Sequence, residues 1–411
     1  MRPRSFRIPL ALAVLMLTLT TPAQAQTAKI NKAIEAIKAF ENGDRGAIEE
    51  ARAAINLAAS HPKTSQESQT WVVRGHIYLQ NVLDPDLGGT SADPTKEVIK
   101  AFVKAGELGL DNPDEKAAVI ADLKVVQSAV QTEVFDMVER RRWQPAYELL
   151  GRAMAARDLL ISMDASDDRR DAKLLRLAVL ITTHNDRLDE AKKHHRAFLK
   201  AGEFDPTISV QLTTKLNENE SPDTALVFIR KVRKDHMDDA TLLTKEVEVL
   251  LEAERNDEVV EILDKAAETV PEGVGPQLLL AKLYERAGAQ EKSEAAYRSV
   301  LDRDPEVEEA LVPMARFILA EIPLLEAQIS GEALEGQPKP AKLSRSERET
   351  VEKDLADKYT SVVELLEKAR EKQPESREIL EMLHDVYEAT ENEEKAAKTA
   401  KALENLDGDQ E

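Results

Sequence analysis

The chain has 411 residues, a formal net charge of −21, no cysteine and only 4% aromatic residues. Without cysteine there can be no disulfide staples, thiolate metal sites or thiol-linked lipid, so stability has to come from packing. Such an acidic surface repels phosphate backbones and anionic headgroups, which argues against nucleic acid and membrane surfaces as partners; solubility is the plain use of the charge.

Residues 1–25 read as a signal peptide. Arg2, Arg4 and Arg7 form a positive head, an apolar run follows from Ile8 to Leu19, and Ala23-Gln24-Ala25 gives the small-residue exit that signal peptidase accepts. The apolar run is shorter than the roughly 20 residues a membrane anchor needs. Cleavage after Ala25 predicts a periplasmic or secreted chain of 386 residues (411 minus 25), with a charge of −24 once the three arginines are lost. No later stretch is apolar enough to serve as an integral membrane segment.

Residues 26–171 read as divergent helix pairs. Ala28 to Ser60 is a pair turned at Asn42-Gly43-Asp44. Trp71, Gly75 and Tyr78 lie on a helix whose partner, carrying Val98, Phe102 and Ala105, arrives late after a loop insertion at 83–94 rich in Asp, Gly and Pro. Between Pro113 and Asp164 come a long helix and a second one opening near Gln144-Pro145, where a proline's missing N–H is harmless.

A strict period follows. Helical starts at Ala172, Pro206, Ala240, Val274 and Glu308 are spaced by 34 residues, and each repeats its apolar and small residues at the same offsets. The segment from Val274 carries Leu280, Ala281, Tyr284, Gly288, Tyr297 and Pro305, with Ser293 and Val300 departing from the expected types; the one from Ala240 carries Val247, Leu250, Leu263, Ala266 and Pro271. This pattern resembles the tetratricopeptide (TPR) repeat, in which those residues of the Val274 segment occupy positions 7, 8, 11, 15, 24 and 32, and in which Trp71, Gly75 and Tyr78 match positions 4, 8 and 11. Small residues at positions 8 and 20 let two antiparallel helices approach, while larger residues fill the space beside them. One hairpin cannot bury its own apolar face, so neighbours must stack. The resemblance implies an all-α fold, an α-solenoid or right-handed superhelix of about eight to nine TPR-like helix pairs, with the regular array at 172–321. An irregular insertion at 322–344 holds Pro323, Gly331, Gly336, Pro338 and Pro340, and C-terminal TPR-like helices complete 345–411.

Catalysis finds no home in this sequence. It holds no P-loop, no dinucleotide-binding glycine motif, no zinc-protease motif and no nucleophile elbow, and neither insertion can bury a core of its own. The expectation is therefore a non-enzyme without cofactor. His194 and His195, with His184 upstream, are the densest histidines, yet adjacent helical residues diverge by about 100° and make a poor chelate. Asp84, Asp86, Gly88 and Asp93 echo the start of a calcium loop, but Thr95 stands where the bidentate glutamate belongs.

The resemblance also implies a groove lined by first-helix positions 2, 5, 9, 12 and 13. Those positions give Arg176, Leu180 and His184, then Val210 and Thr214, then Thr244 and Glu248, then Leu278, Lys282 and Arg286, then Val312 and Arg316. Lys282, Arg286 and Arg316 form a basic cluster suited to an acidic peptide or a carboxylate. The carboxylate clamp known in the family is not matched, because Leu180 and Gln211 stand where it has asparagines. The predicted role is a protein-interaction scaffold or adaptor of the bacterial cell envelope that binds a protein or peptide partner in this groove. The alternative is capture of a cell-wall or surface polysaccharide fragment, which the scarcity of aromatic residues disfavours.

Overall fold

The computed structural model describes residues 24–88, 93–166, 171–269 and 273–408; the predicted leader, apart from Gln24 and Ala25, lies outside them, as does Pro271. Eighteen α-helices and no strand occur among the described residues. Contacts group the chain into two compact units that meet in sequence between Ser221 and Pro222, inside the run that the periodicity treats as one array.

The first unit holds α1 (Gln24–Glu41), α2 (Ala47–Ser60), α3 (Ser68–Leu83), α4 (Pro94–Leu108), α5 (Pro113–Glu139), α6 (Trp143–Ser162), α7 (Ala172–His184), α8 (Leu188–Lys200) and α9 (Pro206–Asn219). Helices α1 to α8 pack as four successive hairpins, and each odd-numbered helix also touches the next odd-numbered one. The core follows from this: Ile30, Ile48, Ile55 and Ile77 fill the first hairpins, and Phe102, Leu123, Leu150, Leu174 and Ile181 continue behind them. Gly75 shows why a small residue is needed at the crossing. A Cβ there would lie 2.2 Å from the Phe102 ring, so the late arrival of α4 changes the loop and leaves the helix contact intact.

The second unit holds α10 (Pro222–Arg233), α11 (Ala240–Glu252), α12 (Asn256–Thr269), α13 (Val274–Arg286), α14 (Gln290–Arg303), α15 (Glu308–Ser330), α16 (Arg345–Lys372), α17 (Arg377–Ala389) and α18 (Glu393–Gly408). Helix α10 is locked to α11 through buried Glu246, which accepts from Arg230 at 2.8 Å and Arg233 at 2.5 Å. Ser293 turns out to suit its place between helices: its hydroxyl donates to the Ala281 carbonyl at 2.9 Å, joining positions 20 and 8 of one hairpin.

The helix starts match the period. First helices open at Ala172, Pro206, Ala240, Val274 and Glu308, as expected, and second helices at Leu188, Pro222, Asn256 and Gln290 keep the same spacing. Caps help to set these bounds: Asp93, Asn112, Asp205 and Asp239 accept from backbone N–H groups in the first turn of the helix that follows each. Between helices, the residue two before the second helix is left-handed at Arg141, Asp186, Glu254, Gly288 and Glu391.

The insertion expected at 322–344 is shorter than predicted. Helix α15 runs 23 residues to Ser330 with Pro313 and Pro323 inside it, so the irregular stretch is confined to 331–344. A proline inside a helix costs about 3 kcal/mol or more. Helix α16, 28 residues long, lies against the extension and compensates. Ile322 and Ala327 are buried, Tyr359 donates to Glu326 at 2.7 Å, Lys358 reaches Glu321, and Arg348 donates to the Ile329 carbonyl at 2.8 Å.

Candidate functional site

The predicted groove residues fall in both units. In the first, Arg176 binds Asp205 at 2.6 Å. Burial pushes the Asp205 carboxyl up, but its bonds to Arg176 and the backbone N–H groups of α9 outweigh that and hold it below the usual range. Leu180, Val210 and Thr214 are half-buried. Thr214 donates to the Val210 carbonyl at 3.0 Å, leaving its hydroxyl hydrogen engaged. His184 stacks on Trp143, with ring centroids 3.8 Å apart and planes inclined by 15°, and its Nδ1 is 2.9 Å from the Leu180 carbonyl.

In the second unit the three cations do not stand as a bare positive cluster. Lys282 faces Glu309 at 3.9 Å, Arg286 faces Glu248 at 3.8 Å, and Arg316 lies between Glu285 at 3.7 Å and Glu378 at 3.0 Å. Acids and bases therefore alternate from α11 through α13 and α15 to α17. All are substantially exposed, and pairs of this kind contribute about 0–1 kcal/mol each. Leu278 and Val312 are half-buried beside them, at the edge of the core. The spacing finds the cations but not Glu285, Glu309 and Glu378, because all four pairs form between one helix and another, and one reaches α17.

The histidines and loop acids have structural work. His195 is buried with its Nε2 2.8 Å from the Ser209 hydroxyl, and burial lowers it to about 4, so it is neutral. Burial also lowers His194. Asp84 accepts from the Asp86 N–H and pairs with Arg45; Asp93 caps α4 and binds Arg152 at 2.6 Å. Among the described residues no group of histidines and carboxylates converges as a metal site, although 89–92 of that loop lie outside them.

One buried charge escaped the sequence reading. His76 on α3 places Nδ1 2.8 Å from Asp122 of α5 and Nε2 2.9 Å from Glu41 of α1. Burial pulls its pKa down, but the two carboxylates more than reverse that and raise it to about 10. It is an imidazolium that ties three first helices together. A lone histidine one residue after Gly75 carried no periodic signal that could have announced this.

The tyrosines show a second recurring tie. Tyr284 and Tyr387, both at position 11, donate to Asp264 at 2.9 Å and to Glu367 on the preceding second helix. Lys292 and Lys395 lie over their rings and reach the same carboxylates. The hairpins keep the tetratricopeptide-like register expected from the sequence.

No protein-family model and no curated protein matches the chain. Among solved structures, the human IFIT1 dimer with m7Gppp-AAAA aligns with 81% of this chain and 68% of its own at 13% identity, with a TM-score of 0.34. A MamA RS-1 double mutant aligns with 47% of this chain and 94% of its own at 18% identity and a TM-score of 0.28. YrrB, described as a TPR protein with an unusual peptide-binding site, covers 52% and 97% at 18% identity and 0.27. Superpositions this loose carry no argument about what this chain binds.

Proposed function

We propose that the chain is a non-catalytic interaction scaffold, exported to the bacterial cell envelope, which binds protein or peptide partners on the first-helix faces of its hairpins. The observation that carries this reading is the α11–α17 face of the second unit. Half-buried Leu278 and Val312 lie there among exposed ion pairs that are mostly 3.7 Å or longer. Pairs so weak can be exchanged for a partner's charges at little cost, while the apolar side chains offer anchors. The pairing of histidines and loop acids with structural neighbours supports a role without catalysis. The leader pattern over 1–25 supports export, and no described helix is long and apolar enough to cross a membrane.

Crosslinking in intact envelopes, followed by recovery with the wild-type chain and with an Arg286→Glu, Arg316→Glu variant, tests the reading. Partner recovery should fall at least about tenfold, as for loss of a central charged anchor. Unchanged recovery would remove this face from the binding surface, and a chain found only in the cytoplasm would end the envelope assignment.

A further inference from the structure

The first unit carries a concentration of positive charge and aromatic surface that the groove does not use. Arg140, Arg141 and Arg142 follow one another in the turn between α5 and α6, directly before Trp143. Arg140 pairs with Asp136 at 2.9 Å. Arg141 and Arg142 are exposed, and neither side chain has a hydrogen bond or ion pair among the described residues. The turn between α7 and α8 is pinned beside them, because Asn185 donates to the Trp143 carbonyl at 2.9 Å and His184 stacks on the Trp143 ring. That second turn adds exposed Arg187, whose guanidinium lies 5.6 Å from the centre of the Tyr147 ring.

Both turns join the C-terminus of one helix, where a cation is favoured, to the N-terminus of the next, where it is not. A helix N-terminus carries a partial positive charge and is usually met by Ser, Asp or Asn. Here α6 and α8 both have arginine in the capping position with no side-chain cap bond, and α6 has no acid in its first turn. Of the nearby acids, Asp136 pairs with Arg140 and Asp189 with Lys192 at 3.0 Å, whereas Glu190 and Asp186 accept only from uncharged groups, the Tyr147 hydroxyl at 3.1 Å and the Asn219 amide at 2.8 Å. In a chain with a net charge of −21 three consecutive arginines are a local concentration of cations, with Glu139, Asp186, Asp189 and Glu190 close by in sequence.

We infer that this arginine-capped turn pair is a docking surface for an acidic segment of a partner protein. Exposed guanidiniums bind carboxylates in two-pronged fashion, and arginine beside tryptophan and tyrosine is the composition enriched at protein interfaces. The inference rests on the scaffold reading above but places the contact at the α5–α6 and α7–α8 turns rather than on the first-helix faces.

Calorimetric titration of the full chain with a synthetic glutamate-rich peptide tests it. Arg141→Gly is the informative variant, since glycine suits the φ of +55° there and folding should not suffer. Saturable binding is expected at low salt, weakened about tenfold or more by Arg141→Gly and again by Arg142→Gln, and untouched by Lys282→Gln with Arg286→Gln. Absence of saturable binding, or wild-type affinity in Arg141→Gly, overturns the proposal. Tighter binding of a short RNA or of tripolyphosphate through the same arginines overturns the class of partner. So does concentration-dependent self-association that Arg141→Gly abolishes, because the occupant would then be a second copy. Partner recovery that survives Arg141→Gly but fails in the Arg286→Glu, Arg316→Glu variant would leave the scaffold reading standing and remove this surface alone.

Discussion

Replacing His76 with glutamine tests the buried tie of α1, α3 and α5. The variant keeps a hydrogen-bonding side chain but removes the positive charge between Asp122 and Glu41. Raising an imidazole from 6.5 to about 10 on folding, at about 1.4 kcal/mol per pH unit, gives a maximum contribution of about 5 kcal/mol. Removing one partner of a buried ion pair costs roughly 3–5 kcal/mol in other proteins, which agrees. The sign follows from linkage. The folded state holds the proton more tightly, so the contribution is complete below pH 6.5 and is lost as pH rises through about 10. Both tryptophans, Trp71 and Trp143, lie in the first unit, so their emission during urea unfolding reports on that unit. The wild type should exceed His76→Gln by about 3–5 kcal/mol near pH 6, and the gap should narrow steadily toward pH 10. Two curves that stay parallel between pH 6 and 10 would show that His76 is not the proton-binding group, whatever the variant costs.

Gly75→Ala should destabilise the first unit by about 1–3 kcal/mol or more, since its methyl group meets the Phe102 ring at 2.2 Å and the ring has no free side to move toward; the same tryptophan-detected urea titration reads it, and a neutral result would show that α3 and α4 are free to separate. Glu254→Gly and Glu391→Gly should each stabilise the second unit by about 0.5–1 kcal/mol, because both residues are left-handed at the turn position that Gly288 holds in the α13–α14 hairpin. Circular dichroism melts of the two variants check this, and a lowered Tm in both would mean that the side chains contribute more than the strain costs.

The regular part of the fold was legible because it is written in period. A 34-residue spacing of apolar and small residues fixes helix phase, and the starts at Ala172, Pro206, Ala240, Val274 and Glu308 fall where that phase requires. Punctuation by proline was less informative. Pro323 reads as a breaker in isolation, yet α15 passes through it because α16 offers a long antiparallel surface, and no local window contains that surface. The candidate site was half legible for a similar reason. Positions on a helix face can be counted, so the cations at 282, 286 and 316 were found. Their carboxylate partners sit on other helices, and pairing across helices is a property of stacking rather than of spacing.

The same distinction explains where this protein keeps its polar chemistry. Within each unit several of the buried or partly buried ionisable groups join one helix to another. His76 joins three helices, Tyr284 and Tyr387 reach back to the preceding second helix, and Glu246 holds α10 on α11. Among the described residues the side chains of Arg141 and Arg142 take part in no such tie, and both are exposed beside Trp143. The buried ties serve the fold, whereas the long, exposed pairs of Lys282, Arg286 and Arg316 can be given up at little cost.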